Sequence, residues 1–223
     1  MLTKTEKKFS VIFLIIVLAE LIFANTNSLT MLHYFTKPAI LIALIVFYLS
    51  QCQNLETKTK WLTFLALLFS LLGDILLMFD NKSENFFIGG LISFLTAHVM
   101  YILVFLKKKK PTKHTSVFVL LLLIYASIMF YFLKNGLGDL LIPVIVYMAV
   151  ILSMILTAFL RKESVPKISY YLVFVGALFF VISDSILALN KFYKPLPFEG
   201  VSIMLTYALA QLFIVLGIKK QQP

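Results

Sequence analysis

The chain has too few charged residues to cover a water-soluble surface: 13% of its 223 residues, against 61% hydrophobic residues and a mean hydropathy of +0.98. That balance excludes a soluble domain and points to a membrane protein. Cysteine occurs once, at Cys52, so an intramolecular disulfide and a thiolate metal site are both excluded. Histidine occurs three times with no HxxxH or HExxH spacing, and neither a metal nor a cofactor is expected. No G-x-S-x-G is present, which disfavours a serine esterase. Acidic residues are half as many as basic ones, 10 against 20. The resulting charge of +10 lies in short breaks between apolar runs, where membrane topology puts it, so no nucleic-acid partner is expected.

Apolar runs fall at 9–25, 36–50, 60–79, 86–106, 115–134, 139–160, 169–190 and 199–217. Spans of about 20 residues fill the length and leave no room for a soluble module. The expected fold is all-α: a polytopic helical bundle of eight transmembrane helices forming one membrane domain over 1–223. Lys4, Lys7 and Lys8 precede the first run as in a signal peptide, but no small-x-small cleavage site follows, so this run is read as a retained helix. The breaks carry turn chemistry at Asn25–Ser28, Asn81–Asn85, Lys107–Lys113 with Pro111, Asn135–Gly138 and Pro195–Gly200. The second run is short unless it reaches back toward Tyr34, with Lys37 and Pro38 in its first turn. Alternating the breaks between two sides puts 15 basic residues on one side and five on the other. Both termini are therefore expected in the cytoplasm, with the chain multi-pass in a bacterial inner (plasma) membrane.

Two stretches break the apolar pattern in the same way, SLLGDILLMFDNK around Asp74 and VISDSILALNK around Asp184. A carboxylate at bilayer depth costs several kcal/mol on most scales (about 3 on insertion scales) and marks a protein interior or a wet cavity. With no intramembrane Lys or Arg to match the pair, at least one of the two should be protonated at neutral pH. The acids lie 110 residues apart on the third and seventh runs, which suggests a parallel 4 + 4 repeat with halves 1–110 and 111–223. His98 and Tyr101 follow Asp74 by 24 and 27 residues; Tyr207 and Gln211 follow Asp184 by 23 and 27. The alternative is chance similarity between two leucine-rich helices. A rise of about 1.5 Å per residue sets Glu20, Asp74 and Asp184 in one layer, which Tyr207, His98 and Gln211 enter or approach from the other side. One polar pocket can collect them. Each also has a plainer reading: Glu20 pairs with a lysine, Tyr207 and Gln211 satisfy each other, and His98 bridges two helices.

Lys37-Pro38, then Gly73-Asp74, Phe87, Gly90, Phe94 and His98-x-x-Tyr101, then Gly176-x-x-Phe179-x-x-x-Ser183-Asp184 and Tyr207-x-x-Ala210-Gln211 make an ordered set that resembles the YhhN-like lysoplasmalogenase family from the second run to the last. The resemblance implies hydrolysis of the vinyl ether of a lysoplasmalogen, a lysophospholipid substrate met among membrane lipids, with the two aspartates as the acids of the site. The chemistry suits the residues. Protonating the β-carbon of a vinyl ether gives an oxocarbenium ion that water captures, so one acid and one ionised carboxylate suffice. Gly73 before Asp74 and Ser183 before Asp184 suggest Asp74 as proton donor and Asp184 as the ionised partner orienting water. His98, Tyr101, Tyr207, Gln211 and Glu20 would support the site. Lys37 is either a headgroup ligand or a snorkelling anchor. A small proton- or cation-coupled transporter or channel is the alternative, since midplane carboxylates also mark ion pathways. The sequence is silent on oligomeric state.

Overall fold

The computed structural model describes residues 2–108, 110 and 114–221. Lys109, Pro111 and Lys113 of the basic break lie outside them. The described residues form eight long helices and no strand: α1 (Lys4–Ala24), α2 (Thr30–Gln51), α3 (Thr57–Leu77), α4 (Glu84–Leu106), α5 (Thr115–Leu133), α6 (Leu141–Phe159), α7 (Lys167–Phe192) and α8 (Glu199–Lys219). Short 3₁₀ turns at Asn27–Leu29 and Gly138–Leu140 lead into α2 and α6. Helices α2 to α8 are each long and apolar enough to cross a membrane. Helix α1 is long enough too, but every 18-residue window of it holds at least three charged side chains. The chain is a helical, multi-pass integral membrane protein.

Helix ends follow local chemistry. Thr3 caps α1 in a reciprocal capping box with Glu6, and Ser83 caps α4 through the Asn85 N–H. Helix α2 starts at Thr30, well ahead of the expected run, because Glu20 of α1 holds its first two turns through His33 and Thr36. Pro38 therefore lies inside the helix, and Lys37 is two turns in rather than in the first turn.

Side-chain contacts gather the basic breaks at one end of the bundle. Lys219 and Lys220 pair with Glu6, Lys107 with Glu56, and Lys110 with Glu163, while Arg161 hydrogen-bonds Gln221. Both described termini lie at this end. Asp80 and Lys191 pair at the other. Small residues set the closest helix approaches. A Cβ on Gly217 would stand 2.8 Å from the Val173 nitrogen, and one on Gly176 would stand 2.9 Å from the Ala210 carbonyl, so α7 and α8 touch backbone to backbone. Gly73 instead faces the Phe94 ring, which packs where a Cβ would stand and brings α4 against α3. Helix α8 is the most buried and α5 the least.

Candidate active site

At the end away from the termini, α1, α2, α3, α4, α7 and α8 line a cavity of about 460 Å³. Five of the eight residues expected at the site line it: Glu20, Lys37, Asp74, Asp184 and Tyr207. His33, Asp80 and Glu199 join them. Phe198 stands at its edge, 80% exposed and in the left-handed backbone region at φ 56°, immediately before α8.

Asp74 is held by α3, where the bare Gly73 admits the Phe94 ring. Phe94 meets Tyr207 edge to face at 5.7 Å, and the Tyr207 hydroxyl donates to Asp74 Oδ2 at 2.8 Å. One turn further along the same two helices, Gln211 Nε2 donates to Ser70 Oγ at 2.9 Å and Tyr101 donates to Gln211 Oε1 at 2.6 Å. Ser70 precedes Asp74 by four residues and Gln211 follows Tyr207 by four, so the antiparallel pair forms two rungs. Tyr101 and Gln211 thus brace the site from below without lining the cavity. Tyr207 and Gln211 each bond α3, at Asp74 and at Ser70.

Asp184 is held from the opposite side. Tyr147 of α6 donates to its Oδ2, and His98 Nε2 lies 3.9 Å from the same oxygen. His98 is enclosed against Phe180 and Tyr147, with ring centroids at 4.6 and 5.5 Å. Neither of its ring nitrogens has a hydrogen-bond partner among the described residues. Asp184 also borders a second, small apolar cleft with Tyr125, Val144, Tyr147, Ile151 and Val181. It therefore stands between a polar space and an apolar one.

Two expectations need correction. Glu20 pairs with His33, Oε1 to Nδ1 at 2.7 Å, and accepts the Thr36 hydroxyl; no lysine reaches it among the described residues. The Ser183 hydroxyl donates to the Ile203 carbonyl of α8 at 3.1 Å. It is not directed to Asp184, and the sequence argument for Asp184 as the ionised partner loses its basis. Lys37 and Glu20 line the same cavity as Asp74.

Tyr147 is the residue that sequence reasoning missed. The offset of 110 residues from Asp74 to Asp184 also carries Lys37 onto Tyr147, so applying that offset backward as well as forward would have found it. His33 sits one helical turn before Lys37 on the same face and was readable by periodicity once α2 began early enough. Among the described residues, no group of three or more His, Cys, Asp or Glu side chains is arranged to hold a metal ion.

The YhhN family model matches residues 32–218. Lysoplasmalogenase TMEM86A of Bos taurus is 30% identical over 165 residues, 72% of this chain and 66% of that protein. The Homo sapiens TMEM86A lysoplasmalogenase is 31% identical over 163 residues, with the same shares covered. Lysoplasmalogenase TMEM86B of Homo sapiens is 30% identical over 153 residues, 68% of this chain and 61% of that protein. The match thus spans just under two thirds of the length of these relatives. No solved structure matches the chain.

Proposed function

The chain belongs to the YhhN family, and from that premise we propose that it hydrolyses the vinyl ether bond of lysoplasmalogens, releasing a fatty aldehyde and a glycerophospho-headgroup compound. The observation that carries this reading is that Asp74 and Asp184, far apart in sequence, border one cavity and each accept a hydrogen bond from a tyrosine. The names of the relatives agree with it.

The reaction needs one proton delivered to carbon and one water delivered to the resulting cation. In the proposed mechanism Asp184 gives its proton to the β-carbon of the vinyl ether, because it borders the apolar cleft as well as the polar cavity. The C=C electrons form the new C–H bond, and the positive charge settles on the adjacent carbon and the ether oxygen. Asp74, in the polar cavity with Lys37 and Tyr207, orients the water that attacks this carbon and takes up its proton. The hemiacetal then collapses as Asp74 returns its proton to the glycerol oxygen and the Asp184 carboxylate takes the hemiacetal proton, which gives the aldehyde and the glycerol hydroxyl and restores both acids. Tyr147 keeps a donor on the Asp184 carboxylate that remains after transfer, which lowers the cost of leaving it charged in an apolar surrounding. His98 shapes that pocket wall, and Tyr101 and Gln211 fix the Asp74–Tyr207 rung. Lys37 and His33 are the cationic or donor groups available to a headgroup phosphate.

The same reading has eight spans in a bacterial plasma membrane, with the apolar part of α1 as the first, both termini in the cytoplasm, and two parallel halves. Fifteen of 20 basic residues on one side and the clustering of their breaks at one end of the bundle support that placement. The test is aldehyde release from a lysoplasmalogen by the purified protein in detergent. Hydrolysis proceeds there and vectorial transport cannot, so absence of aldehyde under conditions that keep the protein folded refutes the reading.

A further inference from the structure

We propose that the groove between α5 and α6 binds the hydrocarbon chain of a single-chain phospholipid, so that the lipid lies with its headgroup in the polar cavity, its chain in the groove and its ether junction at Asp184. This rests on the hydrolase reading for the identity of the lipid as substrate, and on geometry for the site.

Three spaces adjoin through shared walls. Asp184 lines both the polar cavity and the small apolar cleft beside it. Met148 and Leu152 line both that cleft and a groove of about 300 Å³ on the outer side of the bundle. The three spaces therefore lie in series from the carboxylates to the lipid-facing surface, with Asp184 between the first two and Met148 and Leu152 between the last two. The cleft is the smallest of the three, at about 50 Å³, and is walled mostly by Met129, Leu133, Val144, Ile151 and Val181, which suits an alkyl segment rather than a phosphate.

The groove has the chemistry of a hydrocarbon site. Val119, Leu122, Ala126, Ile145, Ala149 and Leu156 make its walls. Its one polar side chain, Ser153, turns its hydroxyl onto the Ala149 carbonyl at 2.7 Å and presents no free donor. Ala126 on α5 and Ala149 on α6 are small, and the space between the helices stays open where leucines would close it. Helix α5 buries only Met129 and Leu133, so little else holds it against α6 on this side.

Direction also fits an amphiphile. The polar cavity opens where α1 and α3 end and α8 begins, at Ala24, Asp80 and Glu199. The groove follows α6 from Ile145 to Leu156, a length of about 16 Å at helical rise, toward the end that holds the termini. A lipid with one chain matches this shape. A second chain on the glycerol would have to occupy the cavity that holds Glu20, Lys37 and the aspartates.

Two measurements test the proposal. The first compares kcat/KM for lysoplasmalogens with a long and a short alkenyl chain, in the wild type and in Ala126→Phe and Ala149→Phe. The ratio of long to short is expected to fall at least tenfold in each variant; an unchanged ratio in folded variants overturns the proposal. The second uses the wild-type protein in detergent with a non-hydrolysable ether-linked lysophospholipid carrying a diazirine near the end of its chain. Photolabel on α5 and α6 that unlabelled lysophospholipid displaces supports the groove. Label on other helices, or label that only bulk diacyl lipid displaces, overturns it. The second measurement reads binding without catalysis, so displaceable label in the groove without aldehyde release supports the groove and sinks the hydrolase reading. Aldehyde release with label elsewhere sinks the groove and leaves the reaction standing.

Discussion

Replacing Tyr147 with Phe isolates one oxygen atom. The ring stays against His98, 5.5 Å between centroids, and only the hydroxyl that donates to Asp184 Oδ2 is lost. In the proposed reaction that hydrogen bond gains strength as Asp184 gives up its proton, because its acceptor changes from a neutral carboxyl to a carboxylate. A hydrogen bond to a charged group contributes about 1.5–3 kcal/mol. A bond to a neutral acceptor contributes about 0.5–1.5 kcal/mol, so the gain is about 1–1.5 kcal/mol; at 1.36 kcal/mol per factor of ten the variant should lose roughly 5- to 13-fold in kcat. The substrate chain and headgroup contacts are untouched, and kcat/KM should fall by the same factor with KM unchanged. Steady-state aldehyde release in detergent micelles, with circular dichroism and thermal melting to confirm folding, measures both constants. A Tyr147→Phe protein with wild-type kcat refutes the assignment of Asp184 as the donor. A rise in KM alone assigns Tyr147 to substrate binding instead.

Other predictions follow from the bundle. Burial alone would push Glu6 up, but its hydrogen bond to Lys220, the Thr3 N–H and Lys219 outweigh that effect and hold the carboxyl below its ordinary 4.5. A lowered carboxylate stabilises the fold above its unfolded value and loses that contribution as pH falls through the folded one. Glu6→Gln should therefore lower the melting temperature at pH 7, by the equivalent of about 1–3 kcal/mol, with the gap closing as pH drops below 4.5; an equal gap at both pH values contradicts the pairing. Gly217→Ala forces a Cβ to 2.8 Å from the Val173 nitrogen and should destabilise by about 1–3 kcal/mol. Gly200→Ala in the first turn of the same helix meets nothing within 4 Å and should be neutral or stabilising in the same melt. Reporter fusions after Lys110 and Lys220 should report cytoplasm and those after Lys82 and Lys191 should not; a cytoplasmic Lys82 contradicts the eight-span placement.

The sequence made the helices legible because apolar runs of spanning length admit few alternatives, and the observed bounds mostly fall within two or three residues of those expected. Helix α2 departs because Thr30–Thr36 carries no apolar periodicity of its own; a polar contact from α1 holds it helical. Asp74 and Asp184 were legible because an acid is conspicuous in a run of leucine. Tyr147 was less so, since a tyrosine in an apolar helix does not stand out as an acid does, and only its offset of 110 residues from Lys37 marks it. Distances between helices were also beyond reach. Spacing from the aspartates placed Tyr101 and Gln211 at the site, whereas their rotation on α4 and α8 turns Tyr101 to Gln211 and Gln211 to Ser70, one turn away from the cavity.

The central claim, protonation at carbon followed by water capture between two aspartates, can be read from the products. Hydrolysis of a lysoplasmalogen in D₂O containing ¹⁸O-water, with the aldehyde reduced as it forms, should put one deuterium on the carbon next to the former aldehyde carbon. The released glycerol hydroxyl should keep its original oxygen, and Asp184→Asn should release no labelled product above background. Product without that deuterium, with ¹⁸O in the glycerol hydroxyl, or formed at wild-type rate by a folded Asp184→Asn protein would contradict the account.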